Sequence, residues 1–243
     1  MTKPKYCFLG DSITEGVGVQ IGERYCDIIG NKLNVDVISY GVNGAQSVNL
    51  SEQIQRMHSQ NGSAVDMIFV FIGTNDFNAG TPLGTFFEER TIDFPILYDD
   101  NGNILATSKR QKRTFSYDTT TFCGRLNVVF SQLRNLYPTT QIVLLTPLHR
   151  AYACFSTTNI QADELTTNTI GIYLESYIDV IRKCADIWGV QLVDLYRESG
   201  LFPLNDENAQ TFFCNCKTDR LHPNAQGHNR IAQTILSHLA PLC

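Results

Sequence analysis

No apolar stretch in this 243-residue chain is long enough for a membrane helix. Apolar runs such as Met67–Ile72 and Ile142–Leu145 fall far short of the ~20 residues a span requires. Positive charge is not in excess either. Nineteen Lys and Arg stand against 24 Asp and Glu, a net charge of -5. That balance lacks the basic footprint on which phosphate-backbone binding depends, so no nucleic-acid partner is expected. The cysteines show no framework: Cys7, Cys26, Cys123, Cys154, Cys184, Cys214, Cys216 and Cys243 follow no regular spacing. In a chain of this size they are expected as reduced, packed thiols. Cys214 and Cys216 make a C-x-C pair near His222. No C-x-x-C partner accompanies it, so neither a metal site nor a cofactor is expected. Met1, Lys3 and Lys5 lead straight into a strand-like segment without an apolar signal region, which predicts a cytoplasmic location.

What is present is the composition of one folded domain, residues 1–243, with 43% hydrophobic and 18% charged residues. Five short β-rich apolar runs end at turn signals: Tyr6–Leu9, Val35–Ser39, Met67–Ile72, Ile142–Thr146 and Val190–Leu195. Continuous apolar runs of this length suit strands buried on both faces. Helical patterns fall between them at Arg24–Lys32, Gln46–His58, Phe122–Leu136, Leu165–Ile187 and Asn224–Leu239. The alternation predicts an α/β fold whose parallel sheet is covered on both faces. Between Phe77 and Thr121 the rhythm breaks, and Ile96–Phe115 reads as a β-hairpin turning at Asp100-Asn101-Gly102-Asn103. An insertion of this length, 77–121, is expected to serve as a lid or pocket wall. Its Lys109, Arg110, Lys112 and Arg113 read as a solvated face.

The chemistry-bearing residues gather at strand ends. Gly10-Asp11-Ser12-Ile13 follows the first run, where open α/β sheets bind ligands. No glycine stands two residues after Ser12, so this is not a G-x-S-x-G elbow. Gly41-Val42-Asn43-Gly44 follows the second run and Gly73-Thr74-Asn75-Asp76 the third. A glycine-turn N–H and a side-chain amide are the donors a developing oxyanion needs. Asp219-Arg220-Leu221-His222-Pro223 precedes the last helix. There Asp219 can fold back onto the His222 ring and fix its tautomer, leaving a base for Ser12. The bland alternative is that Asp219 caps the helix and His222 lies idle on the surface. With strand order 2-1-3-4-5, the first three loops are neighbours at one rim. His149, after the fourth run, falls at the same rim. With Asp11 and Asp76 it is a candidate substrate contact. Gly16, Gly18 and Gly22 lack dinucleotide-loop spacing and read as a flexible loop.

These blocks resemble those of the SGNH (GDSL-type) hydrolase/esterase superfamily. Ser12 matches the first block, here GDSI; Gly44 matches the second, in YGVNGAQS. Asn75 matches the third, in GTND, and His222 the fifth, in DRLHP, with Asp219 three residues upstream. The resemblance covers the chain outside 77–121. It implies a flavodoxin-like three-layer α/β/α fold and metal-free hydrolysis of esters or thioesters. It further implies Ser12 as nucleophile, His222 as base and Asp219 as its orienting carboxylate. The oxyanion hole would be the N–H groups of Ser12 and Gly44 with the Asn75 amide. The expected activity is that of a serine esterase on short-chain carboxylic esters through an acyl-enzyme, with a small-molecule or carbohydrate ester, such as an O-acetylated sugar, as substrate. A lysophospholipase, a thioesterase or an acyltransferase with the same triad is the alternative.

Overall fold

The five apolar runs form the middle layer of the computed structural model, which describes residues 3–239. Met1 and Cys243 lie outside the described residues. From the N-terminal side, β1 (Lys5–Gly10) leads through the short α1 (Ser12–Glu15) to α2 (Tyr25–Leu33) and β2 (Asp36–Ser39). A 3-10 turn at Ser47–Asn49 opens α3 (Leu50–Asn61), followed by β3 (Met67–Phe71) and α4 (Thr74–Asn78). The hairpin strands β4 (Phe87–Tyr98) and β5 (Ile104–Phe115) precede α5 (Phe122–Leu136) and β6 (Gln141–Leu145). Next come β7 (Ala153–Ser156), β8 (Asn159–Gln161), α6 (Leu174–Trp188), β9 (Gln191–Val193) and α7 (Leu195–Glu198). The last described elements are α8 (Asp206–Phe212), β10 (Phe213–Asn215), β11 (Asp219–Pro223) and α9 (Ala225–His238).

The main sheet runs β2-β1-β3-β6-β9 with every pairing parallel. This is the 2-1-3-4-5 order expected for the five runs, and helices cover both faces. On one face Leu9, Val70 and Leu144 pack with Ile54 of α3, Phe130 of α5 and Ile178 of α6. On the other, Phe8, Phe69 and Val143 meet Ile29 of α2 and Ile231 and Ile235 of α9. All of these are fully buried, and burying each such side chain stabilises the fold by about 1.5–3 kcal/mol. Register fixes the aromatic seam: Phe8 lies opposite Phe69, and their rings stack at 4.4 Å.

Three expectations need correction. The helix anticipated from Leu165 starts at Leu174. Asn168 explains the delay, because its Oδ1 accepts from the N–H groups of Ile170 and Ile172 at 3.2 and 3.0 Å. Such a local turn competes with helix formation. The hairpin starts at Phe87 rather than Ile96, so each arm has 12 residues. Asp219–Pro223, to which the sequence pattern assigns no element of its own, is a strand of a second sheet ordered β10-β11-β7-β8.

The hairpin is rooted on α5 and α6. Asn127 of α5 donates to the carbonyls of Phe86 and Ser116, both at 2.8 Å. Trp188 Nε1 in turn donates to Asn127 Oδ1 at 3.0 Å, and the Phe115 ring stacks on Trp188 at 4.7 Å. Beyond that root both strands are largely exposed.

Candidate active site

Ser12 stands where β1 gives way to α1, and the junction allows only a small residue at Gly10. A Cβ there would come within 2.5 Å of the Phe71 carbonyl oxygen and 2.3 Å of Thr14 Oγ1. Gln53 of α3 clamps this strand end: its Oε1 accepts from Gly10 N–H at 2.9 Å, and its Nε2 donates to Gly10 O at 2.8 Å. Asp11 caps α1 by accepting from Ile13 N–H at 3.1 Å. Ser12 is the first residue of α1, so its own N–H is one of the donors a helix start leaves without an intrahelical partner.

The partners arrive from the second sheet. His222 Nε2 lies 3.0 Å from Ser12 Oγ, and His222 Nδ1 lies 3.0 Å from Asp219 Oδ2. The other carboxylate oxygen, Asp219 Oδ1, accepts from the N–H groups of Leu221 and His222 at 3.1 and 3.0 Å. Burial pushes the Asp219 carboxyl up, but the His222 hydrogen bond, the His222 charge and the two backbone donors outweigh it and hold it below the ordinary value. An ionised carboxylate only accepts, so Nδ1 carries the proton and Nε2 presents its lone pair to Ser12. The helix-cap reading of Asp219 fails here. Asn224 caps α9, its Oδ1 accepting from the N–H groups of Gln226 and Gly227.

These groups open on a cavity of about 300 Å³ lined by Ser12, Asn43, Gly44, Asn75, Gln161 and His222, with Val17, Phe155, Asn159, Asp219 and Leu221. Asn75 donates one amide N–H to Ala45 O at 3.0 Å, which orients the group and leaves its second N–H available. Gly44 sits at a φ of +76°, with open space where a Cβ would be. Such a left-handed turn suits glycine and brings the backbone to the cavity.

The remaining sequence candidates point elsewhere. Asp11 is 2% exposed, absent from the cavity lining and engaged with Ile13. Burial pushes its carboxyl up to about 6, against the pull of the Ile13 N–H and the His222 charge. Asp76 is fully buried: it accepts from Ser47 N–H and Oγ at 2.8 and 2.6 Å and from Arg125 at 2.9 Å. It therefore ties the Asn75 turn to the entry of α3 and to α5 and does not face the cavity. His149 pairs with the buried Glu164 at 2.6 Å and stacks on Tyr196 at 3.7 Å. It too is outside the lining. None of the lining residues comes from 77–121; the outer wall is instead the β7–β8 hairpin.

That wall carries residues sequence reasoning missed. The Phe155 ring lies 5.3 Å from the His222 ring. Gln161 is locked in one orientation, its Oε1 accepting from Asn78 Nδ2 at 2.8 Å and from Arg150 at 3.0 Å. Arg150 is 1% exposed and also donates to Asn78 Oδ1 and to the carbonyl of Ala162. A guanidinium only donates, so it forces the Gln161 oxygen inward and turns the amide N–H groups toward Asn159 Oδ1 and the cavity. The sequence signal was faint: two strands of four and three residues around a Thr157-Thr158 turn. Among the described residues no cluster of three His, Cys, Asp or Glu is placed to hold a metal, and no helix is long and apolar enough to cross a membrane.

Comparison with known proteins follows the same lines. A family model described as "GDSL-like Lipase/Acylhydrolase family" matches residues 8–230. A search of curated proteins gives no match. Among solved structures, a protein from Lactobacillus plantarum is 24% identical with a TM-score of 0.70, covering 98% of this chain and 97% of its own. A structure described as "a possible lipase" from Chitinophaga pinensis is 23% identical with a TM-score of 0.68, covering 96% of each chain. An acetyl xylan esterase is 20% identical with a TM-score of 0.60, covering 97% of this chain and 100% of its own. At these identities the likeness is one of fold.

Proposed function

The chain belongs to the GDSL-like lipase/acylhydrolase family and is a carboxylic ester hydrolase, and from that premise we propose that it is a serine esterase for short acyl groups on polar alcohols, with O-acetylated carbohydrate as the substrate class. The observation that carries the reading is the chain of hydrogen bonds from Asp219 through His222 to Ser12, 3.0 Å at each step, opening on a small cavity whose walls mix amide side chains with Val17, Phe155 and Leu221.

The steps follow from the atoms present. Ser12 Oγ attacks the ester carbonyl carbon while His222 Nε2 takes its proton. Asp219 holds the ring by Nδ1 and stabilises the imidazolium. The oxyanion is received by the N–H of Ser12, the N–H of Gly44 and the free N–H of Asn75. His222 returns the proton to the leaving alcohol, giving an acyl-Ser12. Water then enters, His222 takes its proton, and the acid departs with Ser12 restored.

The substrate class rests on the walls. Asn43, Asn75, Asn159 and Gln161 bring four side-chain amides to a volume of about 300 Å³. That suits a small acyl group and an alcohol rich in hydroxyls better than a long chain. The acetyl xylan esterase of the same fold acts on such a pair, as its name states. The test is a panel of p-nitrophenyl esters of rising chain length beside acetylated sugars. kcat/KM is expected to fall steeply beyond butyrate, and Ser12→Ala is expected to lose on the order of 10⁴-fold or more with Tm unchanged. Near-normal turnover in Ser12→Ala refutes the nucleophile; a preference for long chains refutes the substrate class.

A further inference from the structure

The β4–β5 hairpin is a poor structure for a chain on its own. A two-stranded ribbon is marginal in water unless a third strand or another surface covers a face. Here Trp188 covers the root, and farther out the Arg110 guanidinium lies over the Phe94 ring at 4.6 Å. Toward the tip, Phe94, Ile96, Leu97, Tyr98, Ile104 and Leu105 are 43–60% exposed. Single exposed apolar residues are ordinary, but six gathered toward one ribbon tip, shared between its two faces, give an apolar tip of the kind that marks an interaction site.

We propose that this arm is a dimerisation element, its apolar band packed against the same band of a second copy of this chain. Three observations select that occupant. The first is area. With roughly 200 Å² for a large apolar residue, the tip leaves on the order of 600 Å² exposed per copy over its two faces, and two tips clasped around each other reach the ~1,200 Å² lower end of a stable interface. The second is charge. Residues 87–115 carry five acidic and five basic side chains, whereas the whole chain has a net charge of -5. The arm is neutral and the rest of the molecule holds the entire excess, so two copies meet with least repulsion arm to arm. Glu89–Arg113 and Asp93–Lys109 also close their ion pairs within the ribbon, at 2.7 and 2.8 Å, and leave those charges no need of a partner. The third is the turn. Asp99 and Asp100 lie beyond the apolar band, with Asp99 tied to Asn103. Insertion into a lipid surface would bury both carboxylates first, at high cost, whereas a band-to-band contact leaves the turn in water. The contact is isologous, the arrangement a two-fold dimer requires.

The experiment is sedimentation velocity on the full chain across about 0.1–100 µM, with the double variant Leu97→Glu, Leu105→Glu run beside it and vesicles of anionic phospholipid as a separate arm. The wild type is expected to be a dimer at micromolar concentration. The variant is expected to be a monomer with a dissociation constant raised by about 100-fold or more, while turnover of p-nitrophenyl acetate and Tm stay at wild-type values. Amides of residues 94–106 should gain hydrogen-exchange protection with protein concentration in the wild type alone. A wild-type monomer throughout this range overturns the proposal, as does a variant that still dimerises or a monomer that pellets with vesicles.

Discussion

Asp11 offers the sharpest quantitative test, because the cost of its burial depends on pH. Its carboxyl, ordinarily 3.8, is pushed to about 6 by burial. Folded Asp11 therefore keeps a proton that the unfolded chain releases between 3.8 and about 6. Stability from this group is fully present below 3.8 and is lost as pH rises through about 6. At about 1.4 kcal/mol for each tenfold change in proton affinity, the loss is roughly 3 kcal/mol by neutral pH. Asp11→Asn removes the titration and keeps an oxygen to accept from Ile13 N–H. The new amide N–H groups bring a cost of up to about 1–3 kcal/mol if unpaired, but that cost does not change with pH. The prediction is thus a slope: relative to wild type, the variant gains about 3 kcal/mol between about pH 4 and pH 8. Urea unfolding followed by the fluorescence of Trp188, the one tryptophan, measures it. Buried His228 titrates in the opposite sense. Burial lowers it from 6.5 to about 4, so its contribution is present above 6.5 and lost as pH falls through about 4. It does so in both proteins and cancels in the difference. A stability difference that is flat from about pH 4 to pH 8, or that reverses sign, refutes the reasoning.

Other outcomes follow from the cavity. Asp219→Asn should lower kcat by up to about 10⁴-fold, because an amide can donate to Nδ1 and so favours the tautomer that leaves Nε2 protonated; stopped-flow turnover near wild type would remove Asp219 from the role. Asn75→Ala should lower kcat by roughly 10²–10³-fold with little change in KM, the signature of a donor used only by the developing oxyanion; a change in KM alone would make it a substrate contact. Gln161→Glu keeps the oxygen that accepts from both Asn78 and Arg150 but loses the amide donor. It should raise KM for acetylated sugars by about 10-fold or more and spare p-nitrophenyl acetate. An equal effect on both substrates would show that the change merely disturbs the wall.

How much of this was legible beforehand depends on the length of the signal. The main sheet was readable because Tyr6–Leu9 and Met67–Phe71 are buried on both faces and appear as unbroken apolar runs. The approach of Ser12 to His222, 3.0 Å apart, was legible because their neighbours belong to fixed turns: Gly10 cannot bear a Cβ, and Asn224 caps α9. The second sheet was not readable. Its strands span three to five residues, too few for an alternating pattern to rise above chance. The expected substrate contacts failed for a related reason. A carboxylate beside Ser12 or Asn75 looks available in a sequence, yet Asp11 and Asp76 are spent on Ile13, Ser47 and Arg125. The hairpin of the insertion was found, but none of its residues lines the cavity. Sequence gives its point of departure and not the direction set by Asn127 and Trp188.

The hydrogen bond between Ser12 and His222 joins positions 210 residues apart and also joins two sheets. Ser12 is anchored to the deep parallel sheet, whose central strands are buried. His222 and Asp219 ride on the small antiparallel one, whose strands β7 and β8 are half open to water. The exposed strands β7 and β8 open at lower free energy than the core, whereas β11, with Leu221 and His222 buried, does not share their exposure. On the proposed reading, catalysis therefore depends on a contact between a deep sheet and a shallower one. Local opening of β7 and β8 would expose the wall of the cavity before it disturbed the parallel sheet.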